Sequence, residues 1–220
     1  MKKIGLLITA AGRGVRFGGP ESKSFGVKIG GRPMVLHTLC QFSGLDRITE
    51  AIVTVLPEDV ARLKTLLANE TLSFDCDVVT GGETRAASVY NGLKLFGNVD
   101  AVLIHDAARP YVSRELISRV LKHVGESAVV PGIAVVDTIK RVEKGRVVET
   151  LPRESMVSVQ TPQLFSYSEL MSAYEQISVS DPRLTDEAML MELAGFPVRV
   201  VAGETGNFKI TYALDVTLKT

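Results

Sequence analysis

Short apolar runs alternate with segments of helical periodicity along most of this chain, and that alternation limits the fold more than any other feature. Ile4–Thr9, Ile48–Val55, Cys76–Thr80, Ala101–His105 and Ala128–Pro131 are β-branched-rich or continuously apolar, as strands covered on both faces should be. Helix patterns lie between them. One starts at Pro57, has Glu58 and Asp59 in its first turn, and carries Val60, Leu63 and Leu67 as an apolar stripe. Glu83–Phe96 places Ala86, Val89, Tyr90, Leu93 and Phe96 at helical spacing. A third pattern opens with Ser113 as N-cap and continues through Leu116, Ile117, Val120, Leu121 and Val124. A fourth opens at Thr185, with Asp186 and Glu187 in its positive N-terminal turn and Gly195 as its stop. This rhythm predicts an α/β fold, a Rossmann-like and mostly parallel sheet flanked by helices. Linkers, repeats and low-complexity segments are missing from the sequence, so residues 1–220 read as a single domain.

One segment breaks the rhythm. Thr138–Val142 and Val147–Leu151 are β-rich and flank Glu143-Lys144-Gly145-Arg146, a good turn. The segment reads as a β-hairpin arm at about 137–155, inserted into the α/β body. A lone hairpin is marginally stable, so it must lie on its own body or on a second subunit.

Composition removes several classes of function. Lys+Arg 25 balances Asp+Glu 25, and a neutral chain lacks the cation excess of a general nucleic-acid binder. Cys40 and Cys76 are the only cysteines and form no metal box or disulfide framework, which points to a reducing cytoplasm. Met1-Lys2-Lys3 before Ile4–Ile8 imitates a signal peptide, but Arg13 and Arg16 follow too soon for a cleavage site. The run reads instead as a buried first strand. The sequence holds no stretch of the ~18 apolar residues that a membrane span needs.

Ligands of open α/β sheets bind beyond the carboxyl ends of the strands. The first such end carries Ala10-Ala11-Gly12-Arg13-Gly14-Val15-Arg16-Phe17-Gly18-Gly19, then Lys23. Glycines let backbone N–H groups approach phosphate oxygens, and Arg16 and Lys23 add positive charge. A dinucleotide GxGxxG would need glycine at Phe17, and a P-loop would need it at Phe17 and Ser22. The loop therefore suits phosphate in some third way. A second small-residue loop, Thr80-Gly81-Gly82-Glu83-Thr84-Arg85-Ala86-Ala87-Ser88, suits a flat ligand such as a base, or is a plain strand–helix turn. The fourth strand ends in His105-Asp106-Ala107-Ala108-Arg109-Pro110. A carboxylate beside a phosphate loop is a natural Mg²⁺ ligand, which gives Asp106 that role, and Arg109 can pair with it or with substrate phosphate. His105 reads as a packed strand residue. His37 and His123 lie on helix patterns and have no assigned role.

Taken together, these segments resemble a known family. Ala10-Ala11-Gly12-x-Gly14-x-Arg16 with Lys23 and Phe25 resembles the signature of sugar- and polyol-phosphate nucleotidyltransferases. Gly81-Gly82-x-x-Arg85-x-x-Ser88, His105–Pro110, Asp137-Thr138-x-Lys140-Arg141, Thr161-Pro162-Gln163, Thr185-Asp186-Glu187 and Asn207-x-Lys209-x-Thr211 extend the match to the 2-C-methyl-D-erythritol 4-phosphate cytidylyltransferase family. The resemblance implies a nucleotidyltransferase fold and transfer of CMP from CTP to methylerythritol phosphate, with pyrophosphate released. By resemblance, the backbone of Ala10, Ala11, Gly12 and Gly14 and the side chains of Arg16 and Lys23 hold the triphosphate. Gly81, Gly82, Glu83 and Ser88 surround cytosine and ribose. Asp106 binds Mg²⁺, and both Asp106 and Lys209 contact CTP and the second substrate. Arg109, Thr138, Arg153 and Thr161 bind methylerythritol phosphate, with the arm reaching in from the partner of a homodimer. Arg16, Lys23 and Lys209 are the catalytic cations.

The sequence departs from the family pattern at Thr9, Ser22 and Ala213, where proline is usual, and at Glu83, where aspartate is common. Gly206 stands where an acidic residue is common, which leaves Asp106 as the sole protein ligand for a metal. Two other functions share much of the pattern. A ribitol 5-phosphate cytidylyltransferase would have Ala-Gly-Gly in the first loop, where this chain has Ala10-Ala11-Gly12. A non-catalytic CTP-binding regulator would not need Arg109, Thr138 and Arg153.

Overall fold

In a computed structural model of the chain, residues 2–14, 17 and 22–219 are described. β1 (Ile4–Thr9) is followed by the short α1 (Lys23–Gly26), a small pair β2 (Lys28–Ile29) and β3 (Arg32–Pro33), and α2 (Met34–Cys40). Three strand–helix units come next: β4 (Ile48–Val55) with α3 (Val60–Leu67), β5 (Asp75–Thr80) with α4 (Arg85–Leu93), and β6 (Ala101–Asp106) with α5 (Arg114–Leu121). β7 (Ala128–Ala134) leads into the arm, β8 (Ile139–Glu143) and β9 (Arg146–Leu151). The chain closes with β10 (Val157–Val159), β11 (Gln163–Ser166), α6 (Tyr167–Gln176), α7 (Glu187–Leu193), β12 (Val198–Ala202) and a 3₁₀ segment, Ala213–Lys219.

The centre of the sheet is parallel, in the order β6-β1-β4-β5. Alternation along β1 sorts its side chains to two faces. Ile4, Leu6 and Ile8 join a cluster with Val53 and Leu103, and Leu7 joins Ile52, Val102 and Ile104 on the other face. Each such fully buried aliphatic side chain contributes roughly 1.5–3 kcal/mol. The register also sets the site. Thr9 pairs with Thr54 and Asp106, and Val55 with Thr80, so four strands end at one edge.

The mostly parallel sheet agrees with the sequence, and its far side adds what periodicity did not reveal. β11 runs antiparallel between β6 and β7, β10 is antiparallel to β7, and β12 is parallel to it. β10, β11 and β12 are short or partly exposed and carry too few alternations to announce themselves. α1 and α6 likewise carry no clear pattern, whereas the helix pattern holding His37 becomes α2.

Element ends move by a few residues. The pattern starting at Pro57 divides into a 3₁₀ turn, Pro57–Asp59, and α3. The Glu83–Phe96 pattern becomes α4, which starts at Arg85 because the Thr84 hydroxyl caps it by accepting from the Ala87 N–H at 3.0 Å. The Thr185 pattern becomes α7: Asp186 is its N-cap and accepts from the Met189 N–H at 3.0 Å, which leaves Thr185 outside. Ser113 caps α5 as expected, and Gly195 ends its helix at φ +83°. His37 lies in α2, but His123 sits in the turn after α5.

The arm is a two-stranded sheet of its own, paired from Ile139↔Leu151 to Glu143↔Arg146. Lys144 and Gly145 form its tip, both at positive φ (48° and 77°), the geometry that suits a two-residue hairpin turn. Val142, Val147 and Val148 on it are 54%, 61% and 46% exposed, so the arm does not fold onto the body of its own chain.

Candidate active site

A cavity of about 610 Å³ opens at the common strand edge. Its floor is Thr9 and Asp106, and its walls are the first loop (Ala10–Gly14), Lys23, the Gly81–Arg85 loop, Ser88 and Lys209. The ladders run on into these loops, since the Ala10 N–H donates to Thr54 O, the Gly81 N–H to Val55 O and the Ala107 N–H to Thr9 O. Strand geometry thus sets the loop positions.

Three of the glycines act differently. A Cβ on Gly12 would meet nothing within 4 Å among the described atoms, which leaves its backbone open to the cavity. Gly14 has φ +62° and lies against Lys23, whose Cβ is 2.9 Å from where a Gly14 Cβ would stand. Close approach of a ligand was the sequence-based reason for Gly81, and the structure adds a stronger one. A Cβ on Gly81 would come within 2.3 Å of Ala11 Cβ, joining the first and second loops wall to wall. Ser88 is buried beneath this loop. Its hydroxyl accepts from the Gly82 N–H at 2.9 Å and faces Thr84 O at 2.9 Å, so it shapes the turn.

Asp106 is the electrostatic centre. Its Oδ2 accepts from Lys209 Nζ at 2.6 Å, and its Oδ1 from Thr9 Oγ1 at 3.1 Å and Arg85 Nη2 at 3.4 Å. Burial would raise the carboxyl's pKa, but the Arg85 and Lys209 charges outweigh burial and hold it well below the usual carboxylate range. Lys209 is brought here because the Ile210 N–H donates to Ala108 O at 2.8 Å. Lys23 Nζ donates to Ile210 O at 2.7 Å, which sets both lysines on either side of one peptide.

The residues expected in the site divide into two groups. Ala10, Ala11, Gly12, Gly14, Lys23, Gly81, Gly82, Glu83, Ser88, Asp106 and Lys209 converge on the cavity. Arg16 lies outside the described residues. Arg109, Thr138, Arg153 and Thr161 do not line the cavity of their own chain. Arg109 Nη1 donates to Asn207 O at 2.8 Å; its charge also favours the ionised Asp106, whose direct cationic partners are Arg85 and Lys209. Thr161 is buried, and its hydroxyl accepts from the Asp106 N–H at 3.1 Å while meeting His105 Nδ1 at 2.9 Å. His105 is a packed strand residue, edge-on to Phe42. Burial pushes its pKa down to about 4, so the ring is neutral at pH 7. Thr138 and Arg153 are exposed at the two ends of the arm, and Arg153 Nη1 donates to Val136 O at 2.7 Å.

Arg85 lacked an assigned role in the sequence reading, although it stands in a quoted motif. It lines the cavity and joins Asp106 to Glu187. A cation between two glycines and a serine was the available signal. Its partners are too distant in sequence to be read from it.

Asp106 offers a charged hard-oxygen donor on the cavity floor. Among the described residues, no group of three or more His, Cys, Asp or Glu converges on one point. A divalent cation there would combine this one carboxylate with ligand phosphates, a donor set that suits Mg²⁺. Four cations (Arg13, Lys23, Arg85, Lys209) and two carboxylates (Glu83, Asp106) line the cavity, so a neutral chain presents a positive site.

The strand-end loops and this positive cavity define a nucleotidyltransferase-type α/β protein. Residues 4–220 match the family model of IspD, 2-C-methyl-D-erythritol 4-phosphate cytidylyltransferase, and the chain belongs to that family. The 2-C-methyl-D-erythritol 4-phosphate cytidylyltransferase of Halalkalibacterium halodurans is 36% identical over 212 residues, covering 96% of this chain and 92% of that protein. The bifunctional enzyme IspD/IspF of Nitratidesulfovibrio vulgaris is 40% identical over 227 residues, covering 97% of this chain and 56% of that protein. The chain spans about half the length of such bifunctional relatives. Among solved structures, the 4-diphosphocytidyl-2C-methyl-D-erythritol synthase of Anaerococcus prevotii superposes with TM-score 0.84 at 31% identity, covering 98% of this chain and 95% of that one. Among the described residues, no helix is long and apolar enough to cross a membrane.

Proposed function

We propose that this chain transfers CMP from CTP to 2-C-methyl-D-erythritol 4-phosphate and releases pyrophosphate. The observation that carries this reading is the cavity's lining, which brings the cations Lys23 and Lys209 together with the glycine wall of Gly81 and Gly82 in a member of this family. The cations take the triphosphate, and the glycine wall takes cytosine and ribose beside Glu83 and Ser88.

The phosphate oxygen of the alcohol phosphate attacks the α-phosphorus of CTP, and the bond from that phosphorus to the pyrophosphate oxygen breaks. The nucleophile is already an anion, so a general base is not required. The work lies in holding two polyanions in line and stabilising negative charge at the α-phosphate. Lys23 and Lys209 face that charge from both sides of Ile210, and Arg16 joins them by resemblance. A divalent ion held by Asp106 and the phosphates would supply further charge neutralisation when bound.

Arg109, Thr138, Arg153 and Thr161 are proposed to serve the polyol phosphate. The arm's valines and Arg153 are exposed, which supports a two-fold homodimer in which each arm completes the partner's cavity. The free thiols Cys40 and Cys76 suit a cytoplasmic enzyme.

Pyrophosphate release from CTP tests the reading, with 2-C-methyl-D-erythritol 4-phosphate and ribitol 5-phosphate offered separately. Release with the first alone is expected. Faster release with ribitol 5-phosphate changes the substrate, and CTP binding without release under either condition makes the protein a regulator.

A further inference from the structure

Glu187 is a buried carboxylate that does not line the cavity, yet it is two side chains from the cavity's central group. Its side chain is 1% exposed. Oε2 accepts from Arg85 Nη1 at 2.6 Å, and Oε1 accepts from the Tyr174 hydroxyl at 3.2 Å. Arg85 reaches on to Asp106 Oδ1 through Nη2 at 3.4 Å, and Lys209 holds the other oxygen at 2.6 Å. Four charges therefore alternate in a row, Glu187, Arg85, Asp106 and Lys209, carried by α7, α4, β6 and the loop before the 3₁₀ segment. Within the Thr185-Asp186-Glu187 motif, Asp186 caps α7 and Glu187 has no other assigned use.

The unequal distances carry the argument. A guanidinium beside two carboxylates prefers short, charge-assisted bonds to each. Here the short bond goes to Glu187 and the long contact to Asp106. Asp186 fixes this geometry from below. It caps α7 through the Met189 N–H and accepts from Gln163 Nε2 at 2.8 Å, so the first turn of α7 cannot slide.

We propose that Glu187 is a positioning residue for the transfer: by holding Arg85 it keeps the guanidinium from closing on Asp106, and so keeps that carboxylate open to the bound substrates. This rests on the cytidylyltransferase reading for its kinetic consequence but not for its structural one. Without the Glu187 charge, Arg85 moves onto Asp106 as a tight pair and competes for it. The ground state still binds CTP through the loops and lysines. The loss therefore falls on kcat more than on KM.

The test uses the full-length protein with Glu187→Gln, alone and in an Arg85→Met background. Crystal structures of wild type and Glu187→Gln report the Arg85–Asp106 distance, and kinetics report kcat and KM for CTP. The expected result is an Arg85–Asp106 contact shortened to hydrogen-bond length. The kcat should fall about tenfold while KM stays within about twofold, an effect that disappears in the Arg85→Met background because the residues act as one unit. An unmoved Arg85, a kcat within about twofold of wild type, or an equal fall with and without Arg85 overturns the proposal. Should Glu187→Gln not fold, Tyr174→Phe loosens Glu187 more gently and is judged by the same movement of Arg85. Should wild type release no pyrophosphate with any alcohol phosphate, the functional reading falls. The crystallographic distance still decides the role of Glu187.

Discussion

The cavity floor and the β8–β9 arm are opposite kinds of structure on one chain. Among the described residues, the buried carboxylates at the cavity are answered within the chain: Asp106 on the floor by Lys209, Arg85 and Thr9, and Glu187 behind it by Arg85 and Tyr174. On the arm, Arg141 pairs with Glu143 and Glu149 along the surface, and the valines face outward. The floor carboxylate is paired without a ligand. Among the described residues, nothing covers the arm's exposed valines. Preorganised charge needs such self-sufficiency, because groups already held in place do not have to reorganise during reaction. An arm proposed to complete a partner's cavity needs the reverse.

Four experiments bear on that contrast. The largest effect belongs to the floor. Lys23→Ala should lower kcat by about 10²–10³-fold, the usual cost of removing one preorganised group at a developing oxyanion. Its folding stability should change little, because Lys23 opens the short α1 at the cavity wall and sits outside the apolar core. Near-normal turnover by the folded variant would remove Lys23 from the reaction.

A second effect isolates the closed interior. His105 is fully buried and its folded pKa is lowered to about 4 from 6.5. As pH falls below 6.5 the unfolded chain takes up a proton that the folded one refuses, so stability is lost between pH 6.5 and 4. The loss reaches about 3 kcal/mol, at about 1.4 kcal/mol per pH unit. Urea unfolding of wild type and His105→Gln at pH 7 and 4.5 should show the variant losing less. Parallel losses would mean that His105 is protonated in the native state.

The arm predicts a weaker, concentration-dependent effect. Val147→Asp should raise the dimer dissociation constant about tenfold or more, from the loss of roughly 1.5–3 kcal/mol of valine burial in the dimer. Monomer stability should shift by under about 0.5 kcal/mol, as for an exposed position. Sedimentation across a dilution series reads the first and thermal unfolding the second; an unchanged constant would take the valines out of the interface.

The smallest effect is the most discriminating. Lys23→Ala and Arg153→Ala, each inactive alone, are mixed so that subunits exchange. If Arg153 serves the partner's cavity, about half the dimers are mixed and each has one intact site, so roughly a quarter of wild-type activity returns. Verified exchange with no recovered activity would place Arg153 in its own subunit's site.

The sequence revealed local features and missed distant ones. The ends of β1, β4, β5 and β6 were readable because apolar runs stop abruptly at loops of small and charged residues. The arm was readable from the turn residues Lys144 and Gly145. Asp106 stood out as a carboxylate closing an apolar strand. Arg85 did not, because its partners are 21 and 102 residues away and only the folded sheet brings them together. Thr161 shows the same limit. It was chosen for its place in a motif, whereas its hydroxyl anchors the Asp106 backbone 55 residues away. β11 escaped because four residues fitted antiparallel between β6 and β7 carry no periodicity of their own.

The row of charges on the floor also has an order in time. A ribosome makes Arg85 and Asp106 first, Glu187 about eighty residues later and Lys209 later still, and domains generally fold as units while the chain is being made. Until the late residues emerge the sheet is unfinished, so Arg85 and Asp106 are not yet set opposite each other. Completion of the fold gives Arg85 its short bond to Glu187 and Asp106 its short bond to Lys209. A nascent or truncated chain that ends before Lys209 therefore lacks both Lys209 and the Ile210 carbonyl on which Lys23 rests. Partly made chains are then poorly equipped to hold a triphosphate, and the nucleotide pool is met by finished subunits.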